Sequence, residues 1–285
     1  MKWISLGFVL LLAGCQTPTA LMADGNAAYH QHDLSRATTL YSKALAYPKT
    51  QGAAAYNLGR IAFEAGDFAG ALPLFQQAVS ADPQFARARF NLALCAKELG
   101  DHQQYEEQLR KAALLDRSLG IVWLELARLQ ASSGDLPTAL QTVRVAFGDP
   151  ATGPQARLLA ASWKKEAGRP EEALADYQEL VRTHPYLGSP YTETGLARLR
   201  EGKDGQAEEL LLRGLQLDFR QPRALLAIGE ILERRGDRST ALQVYEKAIA
   251  LPPDGAADEA GWRAEAEEKA AELRRTQDSG APTKG

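Results

Sequence analysis

Few residues in this chain have the type and spacing that catalysis or metal binding requires. The four histidines are His30, His32, His102 and His184. None stands at metal-ligand spacing from another histidine, a cysteine or a carboxylate. No glycine-rich phosphate loop, Gly-x-Ser-x-Gly elbow or His-Glu-x-x-His pattern occurs in the 285 residues. We therefore predict that the chain has no catalytic residues, no metal site, no cofactor and no small-molecule substrate.

Three pairs of adjacent carboxylates and the single Cys95 could also suggest acid–base or thiol chemistry. The pairs are Glu106-Glu107, Glu171-Glu172 and Glu208-Glu209. Each stands near the start of a predicted helix, where the helix dipole favours negative charge, so we interpret them as structural. Cys95 stands at a predicted core position, which favours a buried, inert thiol over a reactive one.

Cys15 follows the pattern of a targeting segment. After Met1-Lys2-Trp3, an apolar run extends from Ile4 to Ala13. This run is too short to cross a bilayer, which takes about 20 helical residues, and it predicts a signal peptide over residues 1–14. The sequence Leu12-Ala13-Gly14-Cys15 resembles the lipobox of bacterial lipoproteins. The alternative is a soluble secreted protein with a chance cysteine.

The lipobox resemblance also implies a cellular location. It implies that residues 15–17 are the mature N-terminus, with diacylglycerol and acyl chains carried covalently on Cys15. By the same resemblance, Gln16 rather than Asp after the cysteine implies sorting to the periplasmic face of a Gram-negative outer membrane. The net charge of −3, with both signs interspersed, argues against nucleic acid as a partner.

A gapless 34-residue period organises the rest of the chain. Seven units follow, at 18–51, 52–85, 86–119, 120–153, 154–187, 188–221 and 222–255. We number the positions of each unit 1 to 34. Positions 8, 20 and 27 are mostly Ala or Gly, position 24 is large and apolar, and position 15 is Gly in six units. Small residues let two antiparallel helices approach closely, and Gly ends the first helix of the pair.

These positions resemble the tetratricopeptide repeat. The resemblance implies an all-α fold, a right-handed superhelical solenoid of seven helical hairpins. Position 11, usually aromatic in that family, is here Ala28, Ala62, Ala96, Gln130, Lys164, Arg198 and Leu232. We expect the weakest packing in the first, fifth and sixth units. An amphipathic helix over 256–276 is predicted to cap the array, and residues 277–285 are predicted to be disordered.

In the tetratricopeptide family, positions 2, 5, 9 and 12 line a concave groove that binds a protein or peptide. By that resemblance the candidate groove residues are Asn26, Tyr29, Tyr56, Asn57, Arg60, Phe63, Arg87, Phe90, Leu94, Lys97, Leu124 and Arg128. Aromatic anchors beside cations are typical of interaction hot spots. The alternative is that some of these side chains pack against neighbouring hairpins. Asn26, Asn57 and Arg87 also partly resemble a clamp for a peptide's C-terminal carboxylate, although Met22 and Asn91 lack the basic side chains of that clamp.

Two functions fit a lipid-anchored array of this kind. The first is a scaffold for assembling an envelope machine, because pilotin lipoproteins of type IV pili and lipoproteins of the tight-adherence pilus resemble this chain; a secretin or pilus component would then be the partner. The second is an adaptor for a cell-wall hydrolase or protease, or a part of polysaccharide export or gliding machinery. The sequence does not separate them, because function resides in the site rather than the fold.

Overall fold

The computed structural model describes residues 16–251 and 259–278, and all regular structure within them is helical. The predicted signal peptide 1–14, Cys15 and most of the predicted tail 277–285 lie outside the described residues. The chain divides into two compact units, Met1–Ser133 (unit 1) and Gly134–Gly285 (unit 2). The division falls inside the fourth predicted repeat.

Unit 1 holds α1 (Pro18–His30), α2 (Leu34–Ala44), α3 (Pro48–Glu64), α4 (Phe68–Ala81), α5 (Ala86–Glu98), α6 (His102–Leu115) and α7 (Gly120–Ser132). Unit 2 holds α8 (Leu136–Val143), a 3₁₀ helix (Arg144–Gly148), α9 (Gly153–Glu166), α10 (Pro170–Thr183), α11 (Gly188–Arg200), α12 (Asp204–Leu217), α13 (Pro222–Arg234), α14 (Arg238–Ala250) and α15 (Glu259–Asp278).

Within each unit the helices stack as antiparallel hairpins. The hairpins are α1–α2, α3–α4 and α5–α6 in unit 1 and α9–α10, α11–α12 and α13–α14 in unit 2. The first helix of a hairpin also packs against the second helix of the preceding one, as α5 does against α4 and α11 against α10. The predicted all-α solenoid of helical hairpins is confirmed.

The turn inside each hairpin follows from two adjacent positions. At position 15, Gly66, Gly100, Gly134, Gly168, Gly202 and Gly236 have φ between 74° and 87°, and His32 takes the same place with φ of 60°. This left-handed conformation is costly for residues with a Cβ atom, which explains the glycine. At position 16, Asp33, Asp67, Asp101, Asp135 and Asp237 each accept a hydrogen bond from a backbone N–H three residues later. The second helix therefore starts at an N-cap.

Close packing inside a hairpin depends on position 8 facing position 24. A Cβ atom added to Gly59 would lie 2.8 Å from Cε1 of Phe75, and one added to Gly25 would lie 2.6 Å from Cε1 of Tyr41. Gly229 stands in the same relation to Tyr245. Glycine is thus required here by space, because a buried ring occupies the volume that a methyl group would need.

The last helix and the cysteine lie in the core as their sequence patterns predict. Side chains of α15 (Trp262, Ala266, Ala270 and Leu273) form one apolar cluster with Tyr245 and Ala248 of α14. Cys95 is fully buried, and burial raises the pKa of its thiol to about 11. The thiol is therefore protonated at neutral pH, and its predicted burial is confirmed.

Candidate partner-binding surface

The first helices of the hairpins in unit 1 carry a ladder of polar contacts between neighbouring hairpins. At its start, the Asn26 side-chain oxygen accepts hydrogen bonds from the Tyr41 hydroxyl (2.8 Å) and the Asn57 amide (3.2 Å). Asn26 and Asn57 therefore join α1 to α3, and some of their donor and acceptor groups are already hydrogen-bonded within the protein. The structure brings these two predicted clamp residues together, but it uses their amide groups on each other.

The second rung joins Tyr29, Arg60 and Glu64. The Arg60 guanidinium donates a 2.7 Å hydrogen bond to the Tyr29 hydroxyl and lies 4.8 Å from the centroid of its ring. The Tyr29 hydroxyl in turn donates to the Glu64 carboxylate, which also pairs with Arg60 at 3.3 Å. Burial and the hydrogen bond to Glu64 raise the pKa of Tyr29. Tyr29 and Arg60 are half-buried, Glu64 is exposed, and the rung carries one charge of each sign. The Tyr29 ring is thus positioned by contacts to its face and to its hydroxyl.

The third rung centres on Glu125, a buried carboxylate in α7. It accepts hydrogen bonds from Lys97 (3.1 Å), Tyr105 (3.0 Å) and Arg128 (3.0 Å). Burial, followed by the nearby Glu125 charge, raises the pKa of Tyr105, so its hydroxyl remains a donor. Two cations share one carboxylate here, and both remain about two-fifths exposed. The rung therefore leaves an excess positive charge at the surface of unit 1.

The aromatic residues of the predicted groove are only partly exposed, because each also packs against a neighbouring side chain. The Tyr56 ring lies 4.7 Å from that of Phe85 and 5.9 Å from that of Phe75 (centroid to centroid), and the Phe63 ring lies 5.1 Å from that of Phe68. Phe90 packs against the apolar cluster around Leu109 and Val122. Each of these three side chains is half-buried. They contribute to hairpin packing as well as to any partner surface, as the alternative reading held.

One predicted groove residue is placed wrongly. Leu124 is fully buried, so its side chain is not available on an open surface. The remaining two candidates differ in exposure: Arg87 is exposed and Leu94 is half-buried. A single position number cannot predict this difference, because the burial of Leu124 depends on the neighbours that surround α7.

Unit 2 repeats the third rung. Glu193 of α11 accepts hydrogen bonds from Lys165 of α9 and Arg223 of α13, both at 2.9 Å. Leu199 and Leu226 are buried beside an open pocket of about 520 Å³, which Trp262 and Glu265 of α15 also line. Within this pocket, burial raises the pKa of Glu230.

Comparison with known proteins identifies the repeat. Models of the tetratricopeptide repeat match residues 56–118, 155–185 and 224–257. The chain carries tetratricopeptide repeats. No curated protein matches its sequence.

Solved structures share the fold at low identity. PilF of Pseudomonas aeruginosa is 19% identical, with a TM-score of 0.64, over 76% of this chain and 99% of that one. The type IV pilus biogenesis factor PilW is 17% identical, with a TM-score of 0.55, over 70% and 92%. YrrB, a tetratricopeptide protein with an unusual peptide-binding site, is 16% identical, with a TM-score of 0.52, over 66% and 96%. These likenesses establish the fold alone.

Tetratricopeptide repeats are generally non-catalytic and serve protein–protein interaction, and three segments of this chain match them. Among residues 16–251 and 259–278, no three His, Cys, Asp or Glu side chains are grouped as metal ligands would be. Helices in that same part of the chain are too short or too polar to span a membrane.

Two carboxylates at the centres of these rungs were not predicted from the sequence. Glu125 and Glu193 both stand at position 6, and each follows by 28 residues a lysine at position 12 of the preceding repeat, Lys97 or Lys165. Opposite charges 28 residues apart could have predicted these ion pairs, because position 12 of one first helix lies beside position 6 of the next.

Proposed function

We propose that this chain is a lipid-anchored scaffold that binds a protein partner on the first-helix surface of unit 1. The observation that carries the proposal is the Lys97–Glu125–Arg128 rung. It holds two partly exposed cations on one buried carboxylate, and the half-buried Phe90 lies on the same helix as Lys97. Such a surface suits an acidic or C-terminal segment that also brings an apolar side chain.

Cys15 supplies the proposed anchor. Only Gln16 and Thr17 separate Cys15 from the start of α1 at Pro18, and these three Cα–Cα steps span at most about 11 Å when extended. Acyl chains on Cys15 would therefore hold the first hairpin against the membrane surface, and two or three chains are enough for stable attachment. The lipobox resemblance and Gln16 support the periplasmic face of the outer membrane as the location.

We further propose that the envelope machine is a type IV pilus with its secretin. The support is of two kinds: the fold is shared with the pilus biogenesis factor PilW, and the lipobox suits an outer-membrane site. A cell-wall hydrolase or protease is the competing partner, and photocrosslinking in cells separates the two.

Site-specific photocrosslinking in cells tests the partner surface. A photoreactive amino acid at Ala53, which is exposed at position 2 of the second repeat, is expected to capture one envelope protein. The matched control is the same amino acid at Leu114 of α6, which is 82% exposed on a second helix. A captured secretin or pilus subunit supports pilus assembly, and a captured hydrolase supports the adaptor function. Identical products from both positions would refute the binding surface.

The anchor has its own test. Cys15→Ser is expected to move the protein from the outer-membrane fraction to the soluble periplasm, because no thiol remains to be acylated. Mass spectrometry of the wild-type N-terminal peptide should find acylated Cys15 as the first residue. An uncleaved N-terminus, or unchanged fractionation of the variant, would contradict the anchor without touching the partner surface.

A further inference from the structure

The regular stacking of unit 2 is interrupted at its first helix, α8. The helix α8 has 8 residues and continues as a 3₁₀ helix over Arg144–Gly148, whereas α10 and α12 each have 14 residues. Position 11 of the next repeat is Lys164, which turns its ammonium group toward Asp176 instead of filling space with an apolar side chain. A cleft of about 690 Å³ results between α8 and its 3₁₀ extension on one side and α9 and α10 on the other.

The size and lining of this cleft are those of a binding site. Ligand pockets generally enclose about 300–1,000 Å³ and combine apolar walls with a few polar groups. Here the apolar part is formed by Leu140, Phe147, Ala160 and Leu180. The Arg157 guanidinium lies 4.6 Å from the centroid of the Phe147 ring, which holds the cation flat against the wall.

The cleft has more positively charged side chains than carboxylates to pair with them. Its three carboxylates already have cations: Glu172 pairs with Arg169 at 2.5 Å, Asp176 pairs with Lys164, and Glu179 pairs with Arg182 at 2.6 Å. Two lining cations, Arg144 and Arg157, have no ion pair with any described residue. Arg157 acts on Glu179 only at longer range, adding to the effect of the hydrogen bond from Arg182 in lowering the pKa of that carboxyl. The cleft therefore has two guanidinium groups available to a ligand.

We propose that this cleft binds an acidic peptide segment, with carboxylates on Arg144 and Arg157 and an apolar side chain against Phe147. Guanidinium groups pair well with carboxylates through two parallel hydrogen bonds. A phosphate group is disfavoured, because it would concentrate its charge beside Glu172, Asp176 and Glu179. Single charges spaced along a peptide avoid those carboxylates. The site lies between α8 and the α9–α10 hairpin of unit 2, so it does not depend on the partner surface proposed for unit 1.

Fluorescence anisotropy with the full-length chain in mild detergent tests the cleft. The probe is a short fluorescein-labelled peptide of alternating glutamate and leucine, and the comparison peptide has glutamine for every glutamate. We expect the acidic peptide to bind the wild type and the glutamine peptide to bind at least tenfold more weakly. Arg144→Gln with Arg157→Gln should weaken binding of the acidic peptide at least tenfold, because charge-assisted hydrogen bonds are lost.

The matched control removes two cations elsewhere in unit 2. Arg213→Gln with Arg238→Gln lowers the net charge equally, and neither residue lines the cleft. Binding within twofold of the wild type is expected for it, and circular dichroism should show full helical content in both double variants. A benzophenone version of the peptide should crosslink within residues 137–184. Crosslinks outside that range, equal binding of both peptides, no binding at all, or equal loss in both double variants would overturn the proposal.

Discussion

At the scale of single residues, the contact between positions 8 and 24 leaves little space for any side chain at position 8. Phe75 is fully buried, so its ring cannot move aside for a methyl group on Gly59. We expect Gly59→Ala to destabilise unit 1 by about 1–3 kcal/mol through overpacking, measured by urea unfolding. Gly205→Ala is the control, since a Cβ atom there meets nothing within 4 Å and alanine favours the helix. Equal effects of the two substitutions would contradict this packing argument.

Glu230 gives a pH dependence of defined sign. Desolvation raises its pKa above the ordinary value of 4.5, while Lys269 partly opposes the shift and Glu265 adds to it. A raised carboxyl pKa means that the folded state binds the proton more tightly than the unfolded state does. The contribution of this group to stability is therefore most favourable below about pH 4.5 and declines as the pH rises through the raised pKa.

The corresponding variant is Glu230→Gln, which keeps the shape and removes the ionisation. At pH 7 we expect it to stabilise unit 2 by less than about 1 kcal/mol, since half-exposed charges are screened by solvent. At pH 4 the advantage should shrink. Glu209→Gln, on an exposed part of α12, is the control for a general charge effect. A variant whose advantage grew toward low pH would show that the sign is wrong.

At the scale of the helix, the second helices divide into capped and uncapped classes. Asp237 accepts a hydrogen bond from the Thr240 N–H, whereas Lys203, at the same position of the preceding hairpin, makes no side-chain cap. The backbone at Lys203 already has φ −93° and ψ 60°, close to the −84° and 68° of Asp237. The conformation needed for capping is thus present without the capping side chain.

Adding that side chain is expected to stabilise α12. Lys203→Asn should make unit 2 more stable than Lys203→Gln by about 1 kcal/mol. The asparagine side-chain oxygen can accept a hydrogen bond from a backbone N–H of the first turn of α12. Both variants lose the ion pair with Glu201, so their difference isolates the cap. Thermal unfolding would measure it, and identical melting temperatures would argue against the N-cap as the reason for Asp at position 16.

At the scale of the whole molecule, a repeat array transmits stability mainly between neighbouring repeats. We expect Gly59→Ala to increase hydrogen exchange in α3 and α4, and Gly229→Ala to increase it in α13 and α14. Each substitution should leave the distant hairpins protected as in the wild type. Hydrogen exchange followed by mass spectrometry would resolve these segments, and uniform loss of protection along the chain would mean that the repeats unfold together.

The amino-acid sequence alone was enough to predict the repeat and its hairpins. Glycine at position 15, aspartate at position 16 and the small residue facing position 24 act through contacts within one hairpin. Because these contacts are local and recur every 34 residues, their periodicity predicts the structure. The same local reasoning applied to α15, whose apolar spacing indicated which face would be buried.

Only the tertiary structure decided which side chains remain available to a partner. It buried Leu124, turned Asn26 toward Asn57 and divided Tyr56 and Phe63 between packing and surface. It also joined Lys97 to Glu125 and opened the cleft beside Lys164. These outcomes depend on residues about 30 positions apart meeting across neighbouring helices, or on a local break in helix α8. Position within one repeat does not contain that information, because exposure is a property of the assembled neighbours.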